Sequence, residues 1–268
     1  MMAHIDRTVR DIASMPRGGP DASWLDRRLQ TNRLEYLDRD DVDDLKRRVI
    51  CSLDRFGRLF GQHKKAARMV VDEVANIPSP KILELGSGHG GLSRELLENH
   101  PTAQVTVTDI DPKFVAAVAA SDLGSHPRAT VREMDATAID APDGYYDLVV
   151  FSLSLHHLPP ALAVPVFAEG TRAGDKLLII DAYRPRAPLH VVALAMMLPF
   201  IRLSPFAHDG FISSLRAYSP SALRALAYHA DPAINVEFRS RRMRATVAVA
   251  TRARQTGEGH RDRESRSR

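Results

Sequence analysis

Four groups of residues in this 268-residue chain have types and spacings that can do chemistry. The first is "LELGSGHGG", where Glu84 precedes Gly86, Ser87, Gly88, Gly90 and Gly91. Glycines that follow an apolar strand let the backbone turn tightly and let a ligand approach the main chain. A helix beginning there offers unpaired N–H groups to polar or anionic atoms. The second is Asp109, 19 residues after Gly90, at the end of "QVTVTD". A carboxylate at the end of a second strand can accept from both hydroxyls of a ribose. The third is Asp135, in "VREMDATAI", placed to accept from an exocyclic adenine amine. The fourth is the pair His156–His157 in "FSLSLHHL", with Asp181 closing "DKLLIID". Imidazole exchanges its proton near neutral pH and can take one from a hydroxyl nucleophile.

Each group has a plainer structural use. The histidines can pack against a ligand instead of titrating; of the two, His156 is preferred to face a substrate. Asp181 can orient a hydroxyl or pair with Arg184. His208 and Asp209 can reach a substrate or form a turn with Gly210. Met196, Met197 and Phe200 can wall an apolar pocket, where methionine adapts well, or pack as ordinary core. No third ligand of suitable spacing accompanies the histidines, so no metal site is expected.

The glycine run fits two patterns. Gly86, Gly88 and Gly91 match G-x-G-x-x-G, the dinucleotide fingerprint; Glu84 with Gly86, Gly88 and Gly90 matches E-x-G-x-G-x-G. Ribose does not decide between them, since both ligand classes contain it. Glu84 does: its carboxylate repels a pyrophosphate and attracts an amino-acid ammonium.

The elements that hold these residues follow from periodicity. Residues 1–35 carry "PRGGP" and many charges and read as a mobile N-terminal arm. Residues 36–78 read as a helical cap, with Leu45, Val49, Leu53, Phe56, Leu59 and Phe60 at mostly helical steps. From about 79 to 251, short apolar or β-branched runs alternate with helical ones: "KILEL", "QVTVTDI", "ATVREMD", "YYDLVVFSLSL" and "DKLLIIDAY" are the strands. Strands separated by helices imply right-handed β-α-β units, hence a parallel sheet with helices on both faces. "INVEFRS" and "MRATVAVAT" form a hairpin about Arg241 and Arg242, which adds an antiparallel strand. Between them and the fifth strand, residues of about 185–215 read as a lid segment.

"LELGSGHG", "VTDID", "REMDA" and "YDLVVFSLSLHHLP", in that order, resemble the successive motifs of class I S-adenosylmethionine-dependent methyltransferases. The resemblance covers about residues 81–251 and implies a Rossmann-like seven-stranded sheet, mostly parallel, with an antiparallel C-terminal hairpin. It further implies that Glu84 and the Gly86–Gly90 loop, Ser87 included, hold the methionine part of the cofactor. Asp109 would bind its ribose, Ile110 its adenine face, Asp135 and Ala136 the adenine edge; Ser152 and Leu153 would line the floor. A narrower similarity, in "DAYRP" and "RLSPFAHDGFISSLRAYSPSALRALA", is to bacterial methyltransferases of phenolic polyketides, and implies a small hydroxylated acceptor met by His156, His157 and Asp181.

Composition narrows the rest. The net charge is +4, and residues 252–268, read as a disordered basic tail, hold six Arg against three acids, which is +3 of it. The body is nearly neutral, so nucleic acid is not the expected partner. Cys51 is the sole cysteine, which rules out an intrachain disulfide or a cysteine zinc cluster and fits a cytoplasmic protein. The longest apolar stretch, 187–203, is short and broken by His190 and Pro199, so no stable membrane insertion is expected. A homodimer remains open. The rival functions are an inactive cofactor-binding scaffold, an RNA or protein methyltransferase, and an NAD-dependent dehydrogenase.

Overall fold

Apolar runs of five to eight residues set the strands. In the computed structural model, which describes residues 12–39, 41–239 and 245–253, these are β1 (Lys81–Leu85), β2 (Gln104–Asp109), β3 (Ala129–Glu133), β4 (Leu148–Ser152), β5 (Leu177–Ala182), β6 (Ile234–Phe238) and β7 (Ala245–Arg252). They make one seven-stranded sheet in the order β3-β2-β1-β4-β5-β7-β6. β1 to β5 pair in parallel, and β7 runs antiparallel between β5 and β6. This is the expected mostly parallel Rossmann-like sheet with its C-terminal hairpin. The chain steps outward from β1 through β2 to β3, then returns to β4 on the other side. That reversal opens a crevice at the carboxyl ends of β1 and β4, where such sheets bind ligands.

The helices are α1 (Trp24–Arg28), α2 (Asp43–Leu59), α3 (Gln62–Glu73), α4 (Gly91–Asn99), α5 (Pro112–Ala119), α6 (Pro160–Ala173), α7 (Ala187–Met197), α8 (Pro205–Arg216) and α9 (Pro220–Ala230). Side chains of β1 alternate between two cores: Leu83 and Leu85 pack with Phe167 and Leu223, and Ile82 packs with Ala67, Leu92 and Leu96. Both faces are covered at the centre of the sheet, which is why β1, β4 and β5 read as nearly continuous apolar runs. Asp111, Ser204 and Ser219 cap α5, α8 and α9 through side-chain oxygens, each followed by proline in the first turn. The expected lid region is the helix pair α7–α8; α7 turns Leu189, Val192 and Met196 outward. Among the described residues no helix is long and apolar enough to cross a membrane.

Two expectations differ from what is seen. "YYDLVVFSLSL" is not one strand: β4 stops at Ser152, Leu153 takes φ 55°, and Leu155–His157 form a 3-10 turn. Residues 12–35 are not a free arm. Arg17 is 4% exposed and donates to the carbonyl oxygens of His156 (3.0 Å) and Arg216 (2.9 Å), while the Ser219 N–H donates to the Arg17 carbonyl (2.9 Å). A buried guanidinium persists only with partners of this kind, so these contacts hold the segment down. Residues 1–11, the turn at Arg241–Arg242 and the tail from 254 onward lie outside the described residues.

Gly90 starts α4 in the left-handed region at φ 72°, and a Cβ there would lie 2.4 Å from Leu123 Cδ1. Gly90→Ala should therefore cost about 1–3 kcal/mol of stability. Urea unfolding checks this through a lower midpoint at an unchanged m-value; a midpoint equal to that of the parent chain refutes the account.

Candidate active site

β1 ends in Leu85, and the chain then turns across the sheet. The Ser87 N–H donates to the Thr108 carbonyl (2.8 Å), and the Gly90 N–H to the Ser87 carbonyl (2.9 Å). Gly86 sits at φ 60° against Ser154, and Gly88 at φ 54°. A Cβ on Gly88 would meet nothing within 4 Å. Glycine is needed at Gly88 for its backbone angle, and the space above it is open to a ligand. Beside it, His89 Nε2 is buried with no hydrogen-bond partner.

Glu84 stands near the end of β1, next to the loop. Its side chain points below the loop, where it is buried and accepts from Ser93 Oγ on α4. Burial pushes its carboxyl up to about 7, with the Ser93 hydrogen bond pulling the other way. As it stands, Glu84 braces the junction of loop and helix from beneath.

Asp109 ends β2 and is committed on both oxygens. Oδ2 accepts from the Gly88 N–H (2.9 Å) and Oδ1 from the Asp111 N–H (3.0 Å). Each carboxylate oxygen has a second lone pair, so Asp109 holds the glycine loop and keeps acceptor capacity for hydroxyls. Ile110, next in chain, is 62% exposed at the same edge. Asp135 lies one strand further out, where its Oδ1 accepts from Thr137 N and Oγ1, both at 2.8 Å. Ala136 is partly buried against the core. On the other side of the crevice stand Ser152, at the end of β4, and Leu153, whose N–H donates to the Ile180 carbonyl (2.7 Å). Leu153 is a positive-φ residue other than glycine, and backbone held in that region costs energy that surrounding structure must impose.

The 3-10 turn after Leu153 brings His156 to Asp181. Asp181 Oδ2 accepts from the His156 N–H (2.9 Å), and Oδ1 meets His156 Nδ1 at 2.6 Å. Burial works against the Asp181 charge, yet the His156 ring keeps this carboxyl below the usual range. This contact occupies Nδ1 of His156 and leaves Nε2 as the ring nitrogen away from Asp181. Arg184 does not pair with Asp181. Its guanidinium is spent on the carbonyls of Asp26, Leu29, Leu215 and Ala217. Asp209 is likewise used in structure: it accepts from the Tyr36 and Leu37 N–H groups, and from His208 Nδ1 at 2.9 Å.

Two residues at this end went unnoticed in the sequence. Asp38 accepts from His157 Nδ1 (2.7 Å) and from Arg216 Nη1. Although burial opposes it, these two partners hold the Asp38 carboxyl well below the ordinary range. Glu35, 2% exposed, accepts from Ser213 Oγ (2.9 Å) and lies 3.6 Å from His156 Nε2 and 4.0 Å from His157 Nε2. Burial pushes Glu35 up to about 7 against the pull of His157. No local pattern announces either acid; both sit in a charged stretch that reads as solvated chain.

The crevice thus has an open glycine floor and a carboxylate with spare acceptor capacity on one side, and a buried acid–imidazole cluster on the other. Comparison with known proteins agrees. Residues 82–173 match the family described as "Methyltransferase domain". Trans-aconitate 2-methyltransferase of Streptomyces avermitilis is 31% identical over 121 residues, covering 41% of this chain and 44% of that protein. Demethylmenaquinone methyltransferase of Thermus thermophilus is 26% identical over 62% of this chain and 80% of its own. Among solved structures, the plantazolicin methyltransferase BpumL in complex with SAH shares the fold at TM-score 0.62 and 11% identity, over 94% of this chain and all of that one. Human N-acetylserotonin methyltransferase in complex with SAM does so at TM-score 0.58 and 14% identity, over 94% of this chain and 66% of that one. The chain spans less than half the length of the Streptomyces relative. Sheet order, loop and matched residues together identify a class I S-adenosylmethionine-dependent methyltransferase domain within this chain.

The buried Glu84 gives a test of sign. Its folded value near 7 lies above the ordinary glutamate value, so the folded state holds the extra proton. The stability this contributes is full below about pH 4.5 and is lost as pH rises through about 7. Glu84→Gln removes the titration. The stability of the parent chain relative to Glu84→Gln should fall by on the order of a few kcal/mol between pH 5 and 8. Denaturant melts across that range measure it, and a pH-independent difference refutes the buried protonated carboxyl.

Proposed function

We propose that this protein transfers a methyl group from S-adenosylmethionine to a small, partly apolar molecule, at a hydroxyl oxygen. The observation that carries the reading is the His156–Asp181 pair at the carboxyl ends of β4 and β5, across the crevice from the glycine loop. S-adenosylmethionine supplies an electrophilic methyl group on a sulfonium. Gly86, Ser87, Gly88 and Gly90 let the methionine part approach the backbone, above Glu84. Asp109 accepts from the ribose hydroxyls. Ile110 covers the adenine, Asp135 and Ala136 meet its edge, and Ser152 and Leu153 form the floor. His156 Nε2 takes the proton of the acceptor hydroxyl, Asp181 fixes the ring through Nδ1, and His157 with Glu35 closes that side. Alignment of donor and acceptor and exclusion of water supply most of the rate.

A small acceptor is favoured over nucleic acid because the body of the chain is nearly neutral once the 252–268 segment is set aside. The exposed apolar residues of α7 suit a partly apolar acceptor. A single cysteine suits a reducing, cytoplasmic setting.

Asp109→Ala should weaken S-adenosylhomocysteine binding by about 1–3 kcal/mol, through unpaired hydroxyls and a loosened Gly88. Titration calorimetry measures it, and a chain that binds NAD but not S-adenosylhomocysteine is not a methyltransferase.

His156→Ala should lower turnover about 10²–10⁴-fold on a phenolic acceptor panel with labelled donor, at nearly unchanged S-adenosylhomocysteine affinity. Full turnover in the variant removes the base and leaves alignment alone. If no acceptor of any chemical class is methylated while the cofactor binds tightly, the chain is a cofactor-binding scaffold.

A further inference from the structure

Where the N-terminal segment crosses the ends of β4 and β5, three carboxylates meet two guanidiniums. Glu35, Asp38 and Asp181 face Arg17 and Arg216. The guanidinium nearest Glu35, that of Arg216, bonds Asp38 and stands 3.9 Å from Glu35. Besides the Ser213 hydroxyl that donates to Oε1, Glu35 presents its two oxygens to a pair of imidazole nitrogens, His156 Nε2 at 3.6 Å from Oε1 and His157 Nε2 at 4.0 Å from Oε2.

Those separations are too long for hydrogen bonds, which lie at about 2.7–3.2 Å. They come close to the edge of a coordination polyhedron. Two ligands about 2.1 Å from one cation, at the tetrahedral angle, stand about 3.4 Å apart. The ring contacts agree with this. Each ring spends Nδ1 on its own carboxylate, Asp181 at 2.6 Å and Asp38 at 2.7 Å, so Nε2 is the atom that each ring has toward Glu35. A carboxylate behind each imidazole is the usual outer support of a metal-bound histidine, fixing its tautomer and raising its basicity.

We propose that Glu35, His156 and His157 bind a divalent transition-metal cation through the Glu35 carboxylate and two Nε2 atoms. One ligand atom from each lies within 4.8 Å of the others. Two nitrogens and one oxygen suit zinc, cobalt or nickel rather than magnesium or calcium, which take oxygen ligands. Three protein ligands leave a coordination position open, and the His157 side chain, 22% exposed, marks the way in. The site stands without the methyl-transfer reading but changes it. With a cation bound, His156 Nε2 is no longer a base, and the cation lowers the pKa of a hydroxyl at the open position instead. The sequence suggested no metal because Glu35 is far from the histidines in the chain.

The test uses the untagged full chain, stripped with a chelator and titrated with Co²⁺, then Zn²⁺. One equivalent of Co²⁺ should bind with visible d–d absorption, and Zn²⁺ should displace it. The proton spectrum of the Co²⁺-loaded protein should show two paramagnetically shifted, solvent-exchangeable imidazole N–H signals. His157→Ala and Glu35→Gln should each weaken binding at least about 10-fold, and Asp38→Asn about 10–100-fold. Absence of one-equivalent binding in the parent chain overturns the proposal, as does a folded His157→Ala that binds Co²⁺ as tightly as the parent. The shifted signals come from the parent chain alone, so a variant that does not fold leaves the test intact. S-adenosylhomocysteine titration in parallel separates the readings: cation binding without it removes the methyltransferase and keeps the metal site, and the reverse does the opposite.

Discussion

Arg216, 3% exposed, is the interaction on which this end of the molecule depends. Its Nε and Nη2 donate to the carbonyls of His156 and His157, and its Nη1 to Asp38. It therefore fixes the turn that carries both histidines and binds it to the N-terminal segment in one step. Arg17 repeats the device, donating to the His156 carbonyl and to that of Arg216 itself. Removing one charge from such a group leaves others buried and unpaired, which costs far more than the net value of any one contact. The packed N-terminal segment and the ordered 3-10 turn are thus a single arrangement held by two cations.

The donor side of the crevice is built by another principle. Its parts come from consecutive β-α units, and each satisfies its neighbour through the backbone. Asp109 accepts from Gly88 and Asp111, Ser87 donates to Thr108, and Glu84 is bonded from below by Ser93. These bonds within the protein hold the shape of the loop. Leu153, held at φ 55° by the pairing of β4 with β5, is the strained counterpart on the opposite wall.

This contrast explains what could be read from the amino acids. The sheet, its reversed last strand and the glycine loop were legible because strand and helix periods, turn residues and the spacing from Gly90 to Asp109 are local features. Asp181 was legible as a strand-end acid, though its partner was left between a hydroxyl and Arg184; the answer, His156, depends on β4 ending early. The extended reading of "YYDLVVFSLSL" failed because apolar content marks burial, and Leu155 is as buried in a 3-10 turn as in a strand. Glu35 and Asp38 were illegible. They lie in "RLEYLDRDD", whose composition is that of solvated chain, and Asp38 meets His157 across 119 residues.

The same division bears on specificity. The matched methyltransferase domain, residues 82–173, contains every residue assigned to the cofactor and both histidines, so the class of protein is written in about a third of the chain. What surrounds the histidines comes from outside it: Glu35 and Asp38 before the first strand, Asp181 after the match, Arg216 and Ser213 from α8. These groups set the charge and the hydrogen bonding around the two histidines. A relative that shares the matched domain but differs in these flanking segments keeps the donor chemistry and loses this cluster. Likeness within the domain therefore carries the methyl donor from one protein to another, whereas the acceptor has to be argued from the segments folded over it.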